Sequence, residues 1–314
     1  MTVSDFPLIA IVGPTASGKS DLALSIAEHF GGEIVNYDSV QIFRGLDIGS
    51  AKPTAEERRR VPHHMIDIRD PDDVYTAGDY QREARPVLEE IRSRSRLPIL
   101  VGGTGFYLKA VIEGLFDGPQ RSELWRRRME SIVEKRGREY LHRLLKRFDP
   151  EAAGRIAPRD KPKIMRALEV RLATGQSLSE HFRREPRQPL KGFRVHTIGL
   201  NPDRDETWRR IDERVVRMFA AGFVEEVRGL IDAGTSPEAR AFGAIGYREI
   251  VANLEDSIPW DETIRIIQRN TRRYAKRQMT WFRNQPGVTW FDGPGDNDSI
   301  KERAHRFVQL ALSR

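Results

Sequence analysis

The chain has 314 residues, 39% of them apolar and 8% aromatic, which suffices for a sizeable core and is too many for a disordered chain. It contains no cysteine, which excludes disulfides, thiolate metal centres and a cysteine nucleophile. The net charge of +7 is unevenly spread: residues 121–194 hold 21 Lys+Arg against 10 Asp+Glu, and the remainder 32 against 36.

A basic block on one part of a folded chain is the electrostatic footprint of a nucleic-acid partner, and equally that of a well-solvated helical surface. No apolar run approaches the roughly 18 residues needed to span a membrane. The opening residues MTVSDFPLIAIVG carry no basic leader, so a cytoplasmic protein without a membrane partner is expected.

Residues 8–12 (LIAIV) form an apolar run ahead of a glycine-rich turn and predict a buried parallel strand. Leu22, Ala23, Ile26, Ala27 and Phe30 follow at helical spacing, predicting a helix over 20–30 that Gly31 and Gly32 stop. Residues 33–37 (EIVNY) predict a second strand ending at Asp38, and the proline- and charge-rich stretch 47–72 predicts loops and short turns. A helix over 77–94, a buried strand at 98–101 (PILV), the turn GGTG and a helix to about 113 continue the alternation. That order means an α/β fold built on a parallel sheet.

Over residues 123–185 the pattern becomes wholly helical, with breaks at 149–150 and 157–162. Residues 194–200 (RVHTIGL) return as a strand. Helices near 204–221, 224–233, 247–253 and 261–284, a short strand at 288–291 and a last helix complete the chain. The expected organisation is an α/β core of residues 1–120 and 194–314, interrupted by a basic all-helical insertion over 121–193. Within the helix over 261–284, Arg265, Arg269, Arg272, Arg273, Lys276 and Arg277 share one face, while Ile267, Tyr274 and Trp281 recur every seven residues on another. No acid lies between Glu262 and Arg283, so the stripe repels itself and calls for an anion along it.

The sharpest motif is GPTASGKS, formed by Gly13, Pro14, Thr15, Ala16, Ser17, Gly18, Lys19 and Ser20. It matches G-x-x-x-x-G-K-[ST], follows a buried strand and opens a helix, as a phosphate loop requires. Loop amides and the helix N-terminus supply positive potential, Lys19 adds a charge, and Ser20 can hold a magnesium ion. An ordinary NTPase adds a magnesium-binding aspartate at the end of an apolar strand. Here PILV runs instead into Gly102, Gly103 and Thr104, and the acid that follows a strand is Asp38. The neighbours His63 and His64 point to opposite sides of any strand and read as structural residues rather than joint metal ligands.

Seven strings, in order, then resemble one family, the tRNA dimethylallyltransferases (tRNA isopentenyltransferases). They are GPTASGKS, DSVQIFRGLDIGSAKP, VPHHMID, LPILVGGTGFYLKAVIEGL, RALEV, AIGYRE and RNTRRYAKRQMTWFR, and they run over nearly the whole chain. Phe43, Ser50 and Phe106 depart from the family's more usual Tyr, Thr and Leu. The family's eukaryotic members carry a zinc finger, which a chain without cysteine cannot build, so the resemblance implies the bacterial form.

The resemblance implies a P-loop NTPase-like core that moves a dimethylallyl group from dimethylallyl diphosphate to the exocyclic amine of the adenosine 3′ of the anticodon. Diphosphate is released, with Mg2+ as cofactor and a monomer as the expected state. It implies that the phosphate loop holds the prenyl diphosphate. It implies further that Arg214 (with Arg217 as the weaker alternative) binds that diphosphate, and that Thr104 contacts the target nucleotide.

By family position, the tRNA anticodon stem-loop meets Asp38, Ser39, Val40 and Gln41, then Arg126, then Pro162, Lys163, Ile164, Met165 and Arg166. It also meets Gly243, Ala244, Ile245, Gly246, Tyr247 and Arg248. Gln41 suits base edges, Lys163 and Arg166 suit phosphates, and Tyr247 suits stacking. The chemistry itself asks for a base, because the adenine amine loses a proton as it is alkylated, and Asp38 is the candidate. Two other readings share the phosphate loop: prenyl transfer to free adenylate, which would leave the basic insertion without a purpose, and a small-molecule kinase, which would want the strand-end acid.

Overall fold

A computed structural model describes residues 5–116, 118–119, 122–184, 187–256 and 258–313. The first apolar run becomes β1 (Phe6–Val12), and helix α1 (Lys19–Phe30) follows directly from the glycine turn. Next come β2 (Gly32–Asn36), the six-residue helix α2 (Ala55–Arg60), the two-residue strand β3 (His63–His64) and α3 (Ala77–Ser93). β4 (Leu97–Val101) and α4 (Gly105–Glu113) close this half. Both α2 and α3 begin with a capping box, Thr54 with Glu57 and Thr76 with Asp79, each pairing two otherwise orphaned helix-end amides.

Residues Glu113–Pro189 form a compact unit of their own, set into the chain between Ile112 and Leu190. Its helices are α5 (Glu123–Arg136), α6 (Arg138–Phe148), α7 (Pro150–Arg155), α8 (Lys161–Thr174) and α9 (Leu178–Arg184). Asp149 caps α7 at the Ala152 amide and holds α9 through the Ser179 amide, which explains the break at Pro150. A further break, which periodicity alone does not show, lies at Gly137, whose φ of 77° ends α5. The unit has a separate core that includes Met129, Leu141, Leu145, Leu168, Leu178 and both Ile164 and Met165.

The chain then resumes with β5 (Phe193–Leu200), α10 (Arg204–Ala220), α11 (Phe223–Asp232) and a 3₁₀ turn at Arg240–Gly243. It ends with α12 (Tyr247–Asp256), α13 (Trp260–Arg283), β6 (Val288–Phe291) and α14 (Asp298–Leu312). The six strands make one sheet in the order β3-β2-β4-β1-β5-β6, and every pairing is parallel. Ile9 and Ile11 face a core that takes Leu22 and Ile26 from α1 and Ile300, Ala304 and Val308 from α14. Helix α3 packs on β2 and β4.

β3 escaped the sequence reading because two histidines carry no apolar signal. It exists because β2 offers it an open edge, and Ile34 N–H also bonds the Pro62 carbonyl at 2.9 Å. In a doubly wound sheet the loops beyond the strand C-termini converge, here those after β1, β2 and β4.

Candidate active site

The turn after β1 carries the phosphate loop. Gly18 sits at φ 76°, and a Cβ there would stand 2.8 Å from the Gly295 and Asp296 backbone nitrogens, so only glycine fits against that neighbouring turn. Gly295 N–H donates to the Ser17 carbonyl (2.8 Å), and Asp296 takes both oxygens to Arg210 (3.0 and 2.9 Å), so the turn before α14 braces the loop from outside. The N-cap of α1 is Gly18, which offers no side chain to the first helical amides and leaves them for an anion.

The turn after β2 carries Asp38. Its position is fixed by the chain around it. Asp38 N–H donates to Asn36 Oδ1 (3.1 Å), Val40 N–H donates to Asp38 Oδ1 (2.9 Å), and the Tyr37 hydroxyl donates to the Ile11 carbonyl (2.6 Å). Oδ2 lies over Gly103, where a Cβ would come within 2.7 Å of it. The turn after β4 carries Thr104, whose Oγ1 accepts from Ser39 N–H (2.9 Å) and donates to Ser39 Oγ (3.0 Å). The C-terminal ends of three strands thus meet in one hydrogen-bonded constellation.

These turns line a cavity of about 320 Å³, together with Arg210, Arg214 and Arg217 from α10 and Tyr274 and Gln278 from α13. Lys19 is partly buried and its Nζ donates to the Pro14 carbonyl (2.7 Å). Burial first, and the Arg214 charge second, pull its ammonium down to about 7, against the opposing pull of Asp38. Arg214 reaches the Thr15 hydroxyl (3.4 Å), and burial likewise lowers its basicity. The cavity therefore holds basic side chains and the Asp38 carboxylate close enough for each to act on the other's charge.

Several lining residues had not been singled out in the sequence. Asp21, Glu57 and Asp296 bring further acids to the rim, and burial, then the Asp296 charge, raises the Asp21 carboxyl above its ordinary value. Gln278 is 5% exposed; its Oε1 accepts from Thr15 N–H (2.7 Å) and its Nε2 donates to the Gly103 carbonyl (2.8 Å). Its signal was present: it stands four residues after Tyr274 and three before Trp281, a polar side chain on the apolar face of the helix.

Other candidates are placed less simply. Gln41 lines the cavity, but its Nε2 donates to the carbonyls of Ser50 (3.1 Å) and Ala51 (3.0 Å), so among the described residues only its Oε1 is left to meet a ligand. Tyr247 does not offer a stacking face. It is fully buried, its ring meets Phe223 at 4.9 Å, and its hydroxyl donates to Glu226 (2.7 Å).

Glu226 in turn accepts from the amides of Asp47, Ile48 and Gly49, so the pair anchors the loop that follows Gln41. Tyr247→Phe therefore lowers unfolding stability by about 1–2 kcal/mol, read as a shift in urea midpoint, and leaves RNA affinity unchanged. A stacking tyrosine would behave differently, because phenylalanine keeps stacking and stability alike. Gly246 is buried beside Tyr247, whereas Gly243 and Arg248 are exposed and Ala244 and Ile245 half-buried.

In the Glu113–Pro189 unit, Ile164 and Met165 are core residues and their side chains cannot reach a ligand. Pro162 and Lys163 are exposed. Arg126 and Arg166 both bond the buried Glu169, which also accepts from Ser122 N–H (2.7 Å). Burial alone would raise the Glu169 carboxyl, but those hydrogen bonds and the Arg126 charge hold it below its usual range. These arginines are thus oriented in advance and partly neutralised. On α13, Arg272 is paired with Asp212 (2.7 and 2.6 Å). Arg269, Arg273, Lys276 and Arg277 are exposed, and no described carboxylate lies within 4.0 Å of them.

His63 Nδ1 lies 2.8 Å from the Val61 carbonyl and His64 Nε2 2.7 Å from Glu33, so each imidazole has its own partner.

A cavity over a phosphate loop, lined by basic side chains and a strand-end carboxylate, narrows the possibilities, and comparison with known proteins decides among families. The model of the IPP transferase family matches residues 41–285. The chain belongs to this family. It is 51% identical over 300 residues to the tRNA dimethylallyltransferase of Geobacter sulfurreducens, covering 96% of each chain. It is 46% identical to that of Koribacter versatilis over 98% of this chain and 100% of the other.

Among solved IPP transferase structures, the tRNA isopentenylpyrophosphate transferase of Bacillus halodurans matches with a TM-score of 0.72 and 40% identity, over 98% of this chain and 97% of that one. A eukaryotic dimethylallyltransferase acting on tRNA matches with a TM-score of 0.79 and 26% identity, over 97% of this chain and 77% of that one. The fold is accordingly the P-loop α/β fold of this family with an inserted helical unit, and the protein is a member of a prenyltransferase family.

Proposed function

We propose that the protein transfers a dimethylallyl group from dimethylallyl diphosphate to the exocyclic amine of the adenosine 3′ of the anticodon in tRNA. The observation that carries this reading is the cavity itself, which gathers Lys19, Arg214 and the oriented carboxylate of Asp38 within reach of each other's charge. In the reaction the allylic carbon–oxygen bond breaks and its electron pair leaves with the diphosphate. The carbon bonds the adenine nitrogen, and the proton that nitrogen loses goes to Asp38 Oδ2. Lys19, Arg214 and the loop amides meet the charge that grows on the diphosphate. Thr104, hydrogen-bonded to Ser39 beside Asp38, would orient the incoming amine.

A magnesium ion fits this donor set. Mg2+ keeps most of its waters and takes few protein ligands beside substrate phosphates. Among the described residues no cluster of three or more His, Asp or Glu forms a metal cage, and the exposed Ser20 at the start of α1 supplies one hydroxyl. When bound, the ion would neutralise diphosphate charge.

The target adenosine must leave its stack to enter such a cavity. The exposed cations of α13 suit nucleic-acid phosphates, and within the inserted unit so, separately, do Lys163, Arg126 and Arg166. Gly243, Ala244, Ile245 and Arg248 offer a surface to its nucleotides. Among the described residues no helix is long and apolar enough to cross a membrane. A cytoplasmic monomer acting on RNA is the state we propose.

The deciding experiment supplies labelled dimethylallyl diphosphate and magnesium with two acceptors in parallel, an anticodon stem-loop and AMP. Label in the RNA is the expected result. Label in AMP alone would transfer the function to free-nucleotide prenylation. Label in neither, with intact tRNA also inert, would overturn prenyl transfer altogether.

A further inference from the structure

Gln278 is the side chain that spans the phosphate loop and the turn beneath Asp38. Its Oε1 takes the Thr15 amide of the phosphate loop at 2.7 Å, and its Nε2 gives to the Gly103 carbonyl at 2.8 Å. The same carbonyl receives the Tyr274 hydroxyl at 3.0 Å. Gly103 is the floor under Asp38 Oδ2 and precedes Thr104. A carboxamide is the one side-chain group of this length that accepts at one end and donates at the other. Both contacts are made in a nearly dry position, where orientation is strictly held.

We infer that Gln278 is a positioning residue that sets the distance between the diphosphate cradle and the Asp38 base, with Tyr274 pinning the far end of the clasp. This rests on the transfer reaction proposed above. In that reaction the departing oxygen, the allylic carbon and the amine nitrogen must lie in line. The oxygen is held by the loop that carries Thr15, and the amine by Asp38 and Thr104. Helix α13 therefore does more than present cations. Its buried face fixes the gap across which the group moves, and a shift of about 1 Å in such a gap can cost on the order of 10²-fold in rate.

The test is a double-mutant cycle on the single-turnover rate of prenyl transfer to an anticodon stem-loop, with active sites counted by tight-binding titration. Gln278→Met keeps length and loses both hydrogen bonds. It is expected to slow the wild-type background by roughly 10–100-fold. In an Asp38→Asn background the same change should cost less than about threefold, because the geometry it maintains has then lost its use. Within each background, Gln278→Met should change the diphosphate and RNA dissociation constants by no more than about threefold.

Equal losses in both backgrounds would overturn the inference and leave Gln278 as a general stabiliser of the fold. If Gln278→Met does not fold, Tyr274→Phe removes the second bond to the Gly103 carbonyl and enters the same cycle, with the same two outcomes. A wild type that prenylates no RNA would instead defeat the functional reading, so the two failures are distinguishable.

Discussion

Asp38→Asn lowers the single-turnover rate of prenyl transfer by roughly 10²–10⁴-fold, the usual worth of a positioned general base, while diphosphate binds as tightly as before or more tightly. The substitution is close to isosteric. The Oδ1 that accepts the Val40 amide survives as the amide oxygen of asparagine, so the turn after β2 keeps its shape. What disappears is the proton acceptor at Oδ2 and one negative charge. That charge supports the ammonium of Lys19 and the guanidinium of Arg214, against burial, in the free protein. Without it the cavity becomes more positive overall, which favours an anionic ligand.

Single-turnover kinetics and calorimetric titration with inorganic diphosphate separate the two effects. A parallel loss of rate and diphosphate affinity would make Asp38 a ligand of the diphosphate or its metal rather than the base.

Much of this was legible in the sequence because the signals were local. A strand, a glycine turn and a helix define the phosphate loop within fifteen residues, and Asp38 stands two positions beyond the end of β2. The parallel order of the sheet follows from strand–helix alternation, and the inserted helices from their period. What stayed hidden depends on distant parts of the chain. Asp296 belongs to the site because the turn before α14 packs on Gly18. Gln278 belongs to it because α13 crosses behind the turn after β4.

Charge and aromatic type misled where tertiary contacts decide. Tyr247 looked like a base-stacking residue, but the ring of Phe223 and the carboxylate of Glu226 claim it for the interior. Ile164 and Met165, between two cations in sequence, turn inward by helical geometry while Lys163 remains outside. The arginine stripe on α13 is real, yet Asp212 from α10 already neutralises Arg272, which no single-helix projection shows.

Lys19→Met should abolish most activity and at the same time stabilise the free protein. The ammonium of Lys19 is lowered from an ordinary 10.5 to about 7 by burial and by Arg214, so the folded state resists its charge. Between those two values the unfolded chain binds a proton that the folded chain does not, and stability rises with pH across that window. The cost of the lysine is therefore fully present below pH 7 and fades toward pH 10.5. Methionine removes it.

The melting temperature of the variant should exceed that of the wild type by a few degrees at pH 6.5 and by less at pH 9. Diphosphate reverses the balance. A bound anion restores the ammonium, so binding at pH 7.5 to 8 draws in a proton, visible as a buffer-dependent enthalpy in calorimetric titrations. The ligand's own ionisation contributes protons of its own, and the wild-type-minus-variant difference isolates the lysine. Removing one charged group from the developing oxyanion costs roughly 10²–10³-fold in kcat. A variant with wild-type proton uptake, or with lower stability at pH 6.5, would show that Lys19 stays charged in the empty cavity. The pairing of lost activity with gained stability marks a residue kept for the ligand's sake, because the fold alone is better off without it.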